Sequence, residues 1–150
     1  MKLLLNKLDF HRSAEDLASD YTYLSDIDKA KVVNIDSKAT FDYEDDHMNY
    51  TCYLLIDPKE IEKYKKVLDD NLIHYLCTDI SHSVIKNEFN IEKVLLKYVN
   101  SSNKFDYDIF MDEIDIWISE NLDMDTILDM INERGINSLR EVDREFLKKV

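Results

Sequence analysis

Three residues in the middle of the chain have spacing suited to metal ligands: His74, Cys77 and His82. On a helix, His74 and Cys77 stand about one turn apart, and His82 follows a break. Zinc would want a fourth ligand, for which Asp79 or water would serve. A partly buried His and Cys on an apolar helix face are commoner than such a site. The Cys-x-x-Cys and His-x-x-x-His spacings are absent, so no metal and no cofactor is assigned. Asp123 and Asp125 open like a calcium loop, but Ile127 and Leu128 fall where an oxygen ligand and a Gly are needed. Asp57, Glu60, Glu62 and Lys63 are like a metal-dependent nuclease site in composition only, and a helix start suffices to explain them. No Ser–His–Asp or Cys–His order stands out. Carboxylate pairs are plentiful, but abundance is no signal without a cleft to gather them. One Gly in the whole chain leaves no phosphate cradle. The expectation is a protein that is not an enzyme and has no catalytic residue.

Charge carries more information. The chain has 32 acidic and 19 basic residues, a net charge of -13. A negative field repels nucleic acid and anionic lipid and favours a basic protein partner. Between Phe105 and Glu133 there is no Lys, Arg or His, and there are ten acids: Asp106, Asp108, Asp112, Glu113, Asp115, Glu120, Asp123, Asp125, Asp129 and Glu133. The rest of the chain is nearly balanced. A second acidic cluster, Asp42, Glu44, Asp45 and Asp46, is expected in a loop between strands.

These acids need helices to hold them. With ~100° per residue, a helix over 108–121 buries Phe110, Ile114, Trp117 and Ile118. Asp112, Glu113, Asp115 and Glu120 then point the other way, and Ile109 and Ile116 fall within that acidic side, either packed against another part of the same chain, the commoner fate of an apolar pair, or as apolar anchors for a partner. A helix over 124–134 sets Asp125, Asp129 and Glu133 in one stripe opposite Ile127, Met130 and Ile131. Like charges at that spacing repel mildly, so something else must compensate. If the two helices pack antiparallel, about eight acids share ~20 Å. That is one charge per ~2.5 Å, between a single nucleic-acid strand at ~3.4 Å and a duplex at ~1.7 Å. The partner-binding set is therefore Asp106, Asp108, Ile109, Asp112, Glu113, Asp115, Ile116, Glu120, Asp125, Asp129 and Glu133.

The remaining elements suggest an α+β fold in one domain over 1–150, with a small antiparallel three-stranded meander packed with helices and a helical C-terminal part. Lys31–Asp36, Ala39–Tyr43 and Tyr50–Ile56 have strand character. Residues 2–9 fit strand or helix. Ser13–Asp16 opens a helix to about Tyr23. Asp57, Pro58 and Glu60 start another, running to about Leu76. Residues 79–87 and 91–99 are helical. After a loop at Asn100–Asn103 come three helices, about 108–121, 124–134 and 139–149. Gly135 stops the second as a left-handed residue, and Ser138 with Glu141 forms a capping box for the third. Cys52 and Cys77 are expected as reduced thiols of a cytoplasmic protein. The apolar start is too short for a signal peptide, and no membrane span is expected.

Residues 124–149 resemble a short helical C-terminal tail found in some bacterial rhomboid-family membrane proteases and in small Bacteroidetes-type proteins. Asp125, Ile127, Leu128, Asp129, Ile131, Gly135, Ser138, Leu139, Glu145, Phe146 and Leu147 match it in character, and Met130 stands where the tail has Lys. The resemblance covers about a sixth of the chain; it implies a helix–turn–helix hairpin and no protease activity. In size, charge and lack of motifs the whole chain resembles phage anti-CRISPR and other anti-defence proteins. The functional expectation is an acidic inhibitor that binds a basic protein, a nuclease or CRISPR effector, as a nucleic-acid mimic. An immunity protein or antitoxin neutralising a nuclease toxin is one alternative, and a small metal-using enzyme is another.

Overall fold

The computed structural model describes residues 1–9, 37–46, 49–70 and 73–150. They gather into two compact units, Met1–Asp79 and Ile80–Val150. The fold is α+β, with a four-stranded antiparallel sheet and a C-terminal half that is mostly helical.

In the first unit the strands are β1 (Lys2–Asp9), β2 (Ala39–Asp46), β3 (Asn49–Ile56) and β4 (His74–Asp79), in the spatial order β2-β3-β1-β4. The expected strands at 39–43 and 50–56 are β2 and β3. The expected strand at Lys31–Asp36 and the expected helix at 13–23 lie outside the described residues. Residues 2–9 form β1, a central strand paired to β3 on one side and β4 on the other. Leu4, Asn6 and Leu8 point to one face of the sheet, and all three are buried. The Asp42–Asp46 cluster lies in β2 and not in a loop, because pairing with β3 continues through Glu44↔Tyr50 and, after a register shift, Asp46↔Asn49.

A 3₁₀ turn, Pro58–Glu60, leads into α1 (Ile61–Asp70). Its start is as the sequence indicates: Asp57 accepts the Lys59 N–H at 2.9 Å, and Pro58 occupies the first position. Its end is not. The helix stops at Asp70, and His74–Asp79 is the edge strand β4 instead of a continuation to Leu76. The apolar residues here fit both periods. Ile73, Tyr75 and Cys77 alternate toward the core, while His74, Leu76 and Thr78 are exposed. Pairing with Leu4–Asp9 satisfies a row of β1 backbone groups that a longer helix would leave bare. Asp69 and Asp70 end the helix where its dipole disfavours acids, so the strand pairing wins in spite of them.

α1 lays Tyr64 and Leu68 on the face carrying Leu4, Leu8, Tyr50, Cys52, Leu54 and Ile56. One polar seam crosses this core. Asn6 pairs in register with Cys52 on one side and Cys77 on the other, and its Nδ2 donates to the Tyr64 hydroxyl above the sheet. Its Oδ1 is buried without a hydrogen-bond partner. The two cysteines are free. They stand two strand spacings apart, ~9.5 Å, beyond the ~7 Å limit on Cα separation for a disulfide. Burial pushes the Cys52 thiol and the Tyr64 hydroxyl well above their usual pKa, and raises that of the Cys77 thiol.

The second unit contains α2 (Ser81–Ile85), α3 (Ile91–Leu95) with a 3₁₀ turn to Tyr98, α4 (Lys104–Asn121), α5 (Met124–Arg134) and α6 (Glu141–Lys148). Its core contains Val84, Leu95, Phe110, Ile114, Trp117 and Ile127. α4 begins four residues before the expected 108. Asn100 accepts the Ser102 and Asn103 N–H groups and ends the preceding loop early. Gly135 stops α5 at φ 86° and ψ 162°. The positive φ is as expected, but the extended ψ is not that of a left-handed helical residue. The chain therefore leaves into a 3₁₀ turn, Ile136–Ser138. The capping box is also displaced: Ser138 Oγ donates to the Gly135 carbonyl, and it is Asp143 that accepts the Arg140 N–H at 2.8 Å. Among the described residues no helix is long and apolar enough to cross a membrane.

The Asn6–Tyr64 contact gives a measurable expectation. Tyr64→Phe strands the Asn6 amide in the core and should cost ~1–3 kcal/mol in urea denaturation, whereas adding Asn6→Leu should restore most of that loss.

Candidate protein-docking face on α4

Buried charge fixes how α4 sits within its unit. Asp143, at the start of α6, is fully buried. Arg140 holds it through Nε and Nη2, each at 2.9 Å. The same guanidinium donates to the Val84 and Ile85 carbonyls at the end of α2, at 2.5 and 2.6 Å. Arg134 donates to the next two carbonyls, of Lys86 and Asn87. Two arginines thus reach four consecutive carbonyls at and just beyond the end of α2, of which Val84's also accepts the Asn87 N–H at 3.1 Å. α4 packs against α2 and α6. It does not pair lengthwise with α5, contrary to the antiparallel arrangement expected from the short 121–124 connection. That connection is extended: Leu122 has ψ 143° and is itself buried, and Asp123 caps α5 by accepting the Thr126 N–H at 2.7 Å. This bond holds the Asp123 carboxyl below its usual pKa.

α4 has two different long faces. Tyr107, Phe110, Ile114, Trp117 and Ile118 are buried, as the periodicity indicates for the last four. On the opposite side Ile109 and Ile116 are 48% and 46% exposed, so neither packs into this chain's core. Phe105, 75% exposed, joins them. Sequence reasoning missed Phe105 because it began the helix at 108. The signal was present in the 105, 109, 112, 116 spacing, which becomes visible once Lys104 is inside the helix. Asp106, Asp108, Asp112 and Glu120 are exposed around this stripe, and Glu113 is half-buried.

The ten acids do not form one surface. Asp108 pairs with Lys104 at 2.5 Å, just outside the base-free segment. On α5, Asp125, Asp129 and Glu133 are exposed, and Lys86 approaches Asp129 at 4.0 Å. With Arg134 anchored beside it, this lysine supplies part of the compensation that the stripe needs. α4 alone carries six acids over 18 residues, or one per ~4.5 Å of helix, sparser than a nucleic-acid strand at ~3.4 Å.

Asp115 borders a cleft of about 110 Å³ that Glu92, Arg140, Glu141 and Asn87 also line. Partial burial and the nearby Glu92 carboxylate raise the Asp115 carboxyl above its usual pKa, against the opposing pull of Arg140. His74 and Cys77, three apart on β4, point to opposite faces of a strand. The helical-turn geometry assumed for a zinc site is therefore not formed. His82 is exposed on α2. No group of three or more His, Cys, Asp or Glu among the described residues is placed to hold a metal ion.

Comparison of the chain with protein-family models, curated proteins and solved structures finds no match.

Two expectations follow from the charges around α4. Arg140→Met leaves Asp143 buried and unpaired, and should cost ~3–5 kcal/mol in urea denaturation followed by Trp117 fluorescence. A raised carboxyl pKa means the fold disfavours the Asp115 charge at neutral pH and is relieved of that cost as pH falls through the raised value. Asp115→Asn should therefore stabilise the protein slightly at pH 7, by less than ~0.5 kcal/mol because solvent screens an exposed carboxylate, with the gain shrinking toward acid.

Proposed function

We propose that this protein is a protein-binding inhibitor of a basic, nucleic-acid-handling enzyme of the kind targeted by anti-defence proteins, and that it docks through the outer face of α4. One observation carries this reading: Ile109 and Ile116 stay half in water on a helix side whose charged residues from 105 to 120 are all acidic. Apolar residues at the centre and like charges at the rim are the composition of a docking patch, and that charge selects a partner rich in Lys and Arg. Long-range attraction would steer the partner in, and the isoleucines would bind once water is excluded. The net charge of -13 argues against nucleic acid as the direct ligand. Inhibition then follows from occupying a groove that the enzyme uses for phosphates.

The partner search is direct. The immobilised protein is incubated with lysate of the source cells at low salt and eluted at high salt. The expected result is a basic nucleic-acid enzyme that elutes with salt, is inhibited by one equivalent of the protein, and is lost from the Asp112→Lys, Glu113→Lys variant while that variant keeps its circular dichroism. Retention of the same partner by the double variant would remove α4 as the docking face.

A further inference from the structure

Resting on that docking face, we infer that the outer side of α4 is one half of a heterotypic coiled coil, and that its occupant is a single basic amphipathic helix of the partner. Phe105, Ile109, Asp112 and Ile116 are spaced four, three and four residues apart, the alternation of a heptad seam. Taking Ile109 and Ile116 as a positions places Phe105 and Asp112 at d. The positions that flank such a seam, e and g, are then Asp106, Asp108, Glu113, Asp115 and Glu120, every one an acid. The b, c and f positions include Tyr107, Phe110, Ile114, Trp117 and Ile118, which are the buried ones. The same helix therefore satisfies two apolar patterns at once, one against its own core and one outward.

The occupant's chemistry follows from the flanks. Charges at e and g choose the partner of a seam, and five acids there reject a second copy of α4. They favour Lys or Arg at the facing positions. Asp112 within the seam works the same way: a single polar residue at an inward position fixes register, and its acidic charge calls for a Lys or Arg directly opposite. From Phe105 to Ile116 the seam runs ~16 Å, so a helix of about three turns covers it.

The test uses the full chain and a fluorescent synthetic peptide of the same length as α4. The peptide carries Leu or Ile at its a and d positions, Lys at the position facing Asp112, and Lys or Arg at e and g. A scrambled peptide of the same composition is the control. The patterned peptide should bind at low salt and gain helix signal. The scrambled one should bind at least ~10-fold more weakly, a difference of ~1.4 kcal/mol. A Phe105→Ser, Ile109→Ser, Ile116→Ser variant, altered only at exposed positions, should lose at least as much while keeping its own circular dichroism. Equal binding of both peptides, or no loss in the serine variant, overturns the coiled-coil seam. In that case charge alone does the recognising, and a basic partner captured from lysate would still stand. A dimer of the wild-type chain in light scattering that the serine variant abolishes would also overturn it, assigning the face to self-association.

Discussion

The C-terminal unit depends on one buried charge. Asp143 has no exposure to solvent, and taking a carboxylate out of water costs several kcal/mol unless strong, well-aimed partners replace the solvent. Arg140 supplies them from three residues away, and the backbone N–H of Arg140 supplies another. The same guanidinium is committed at its far side to the carbonyls of Val84 and Ile85. The end of α2 and the start of α6 therefore cannot move independently, and the helix packed against both, α4, is held in one rotational setting. This setting turns Ile114 and Trp117 inward and leaves Ile109 and Ile116 outside.

Residues whose pattern allowed a single period were legible from sequence. Asp57 and Pro58 start a helix because a capping carboxylate and a missing N–H both suit a first turn, and α5 spans 124–134 because its apolar spacing, cap and terminal glycine agree. Illegible stretches were those where two periods fit the same residues. Leu68, Leu72 and Tyr75 continue a helix, whereas Ile73, Tyr75 and Cys77 make a strand. Only the open edge of β1, a long-range partner, decides between them. That decision also removed the helical pairing of His74 with Cys77. Charge was legible in amount and not in disposition: the base-free run was plain, but Lys86 reaching Asp129 from a distant helix could not be read from it.

The acids divide by what surrounds them. Of those on α5, Asp129 faces Lys86, which offsets part of the stripe's repulsion. Asp115 lies at a cleft edge and is held partly out of water beside Glu92. Asp106, Asp112 and Glu120 surround an apolar stripe that no described element covers, so the candidate site contracts from a broad negative surface to one side of one helix. The first unit has a polar feature of another kind. Asn6 is enclosed between two cysteines and a tyrosine, where it costs stability and adds definition, since a slip of β1 by one residue would carry it out of reach of Tyr64.

The two-sided build of α4 also separates what keeps the chain folded from what faces outward. Substitutions at 106, 108, 112, 116 or 120 leave the buried side of the helix untouched, while those at 110, 114 or 117 strike the core. The outward side can thus change with little threat to the scaffold. Related chains would then be recognisable by their inward residues while their outward ones diverge.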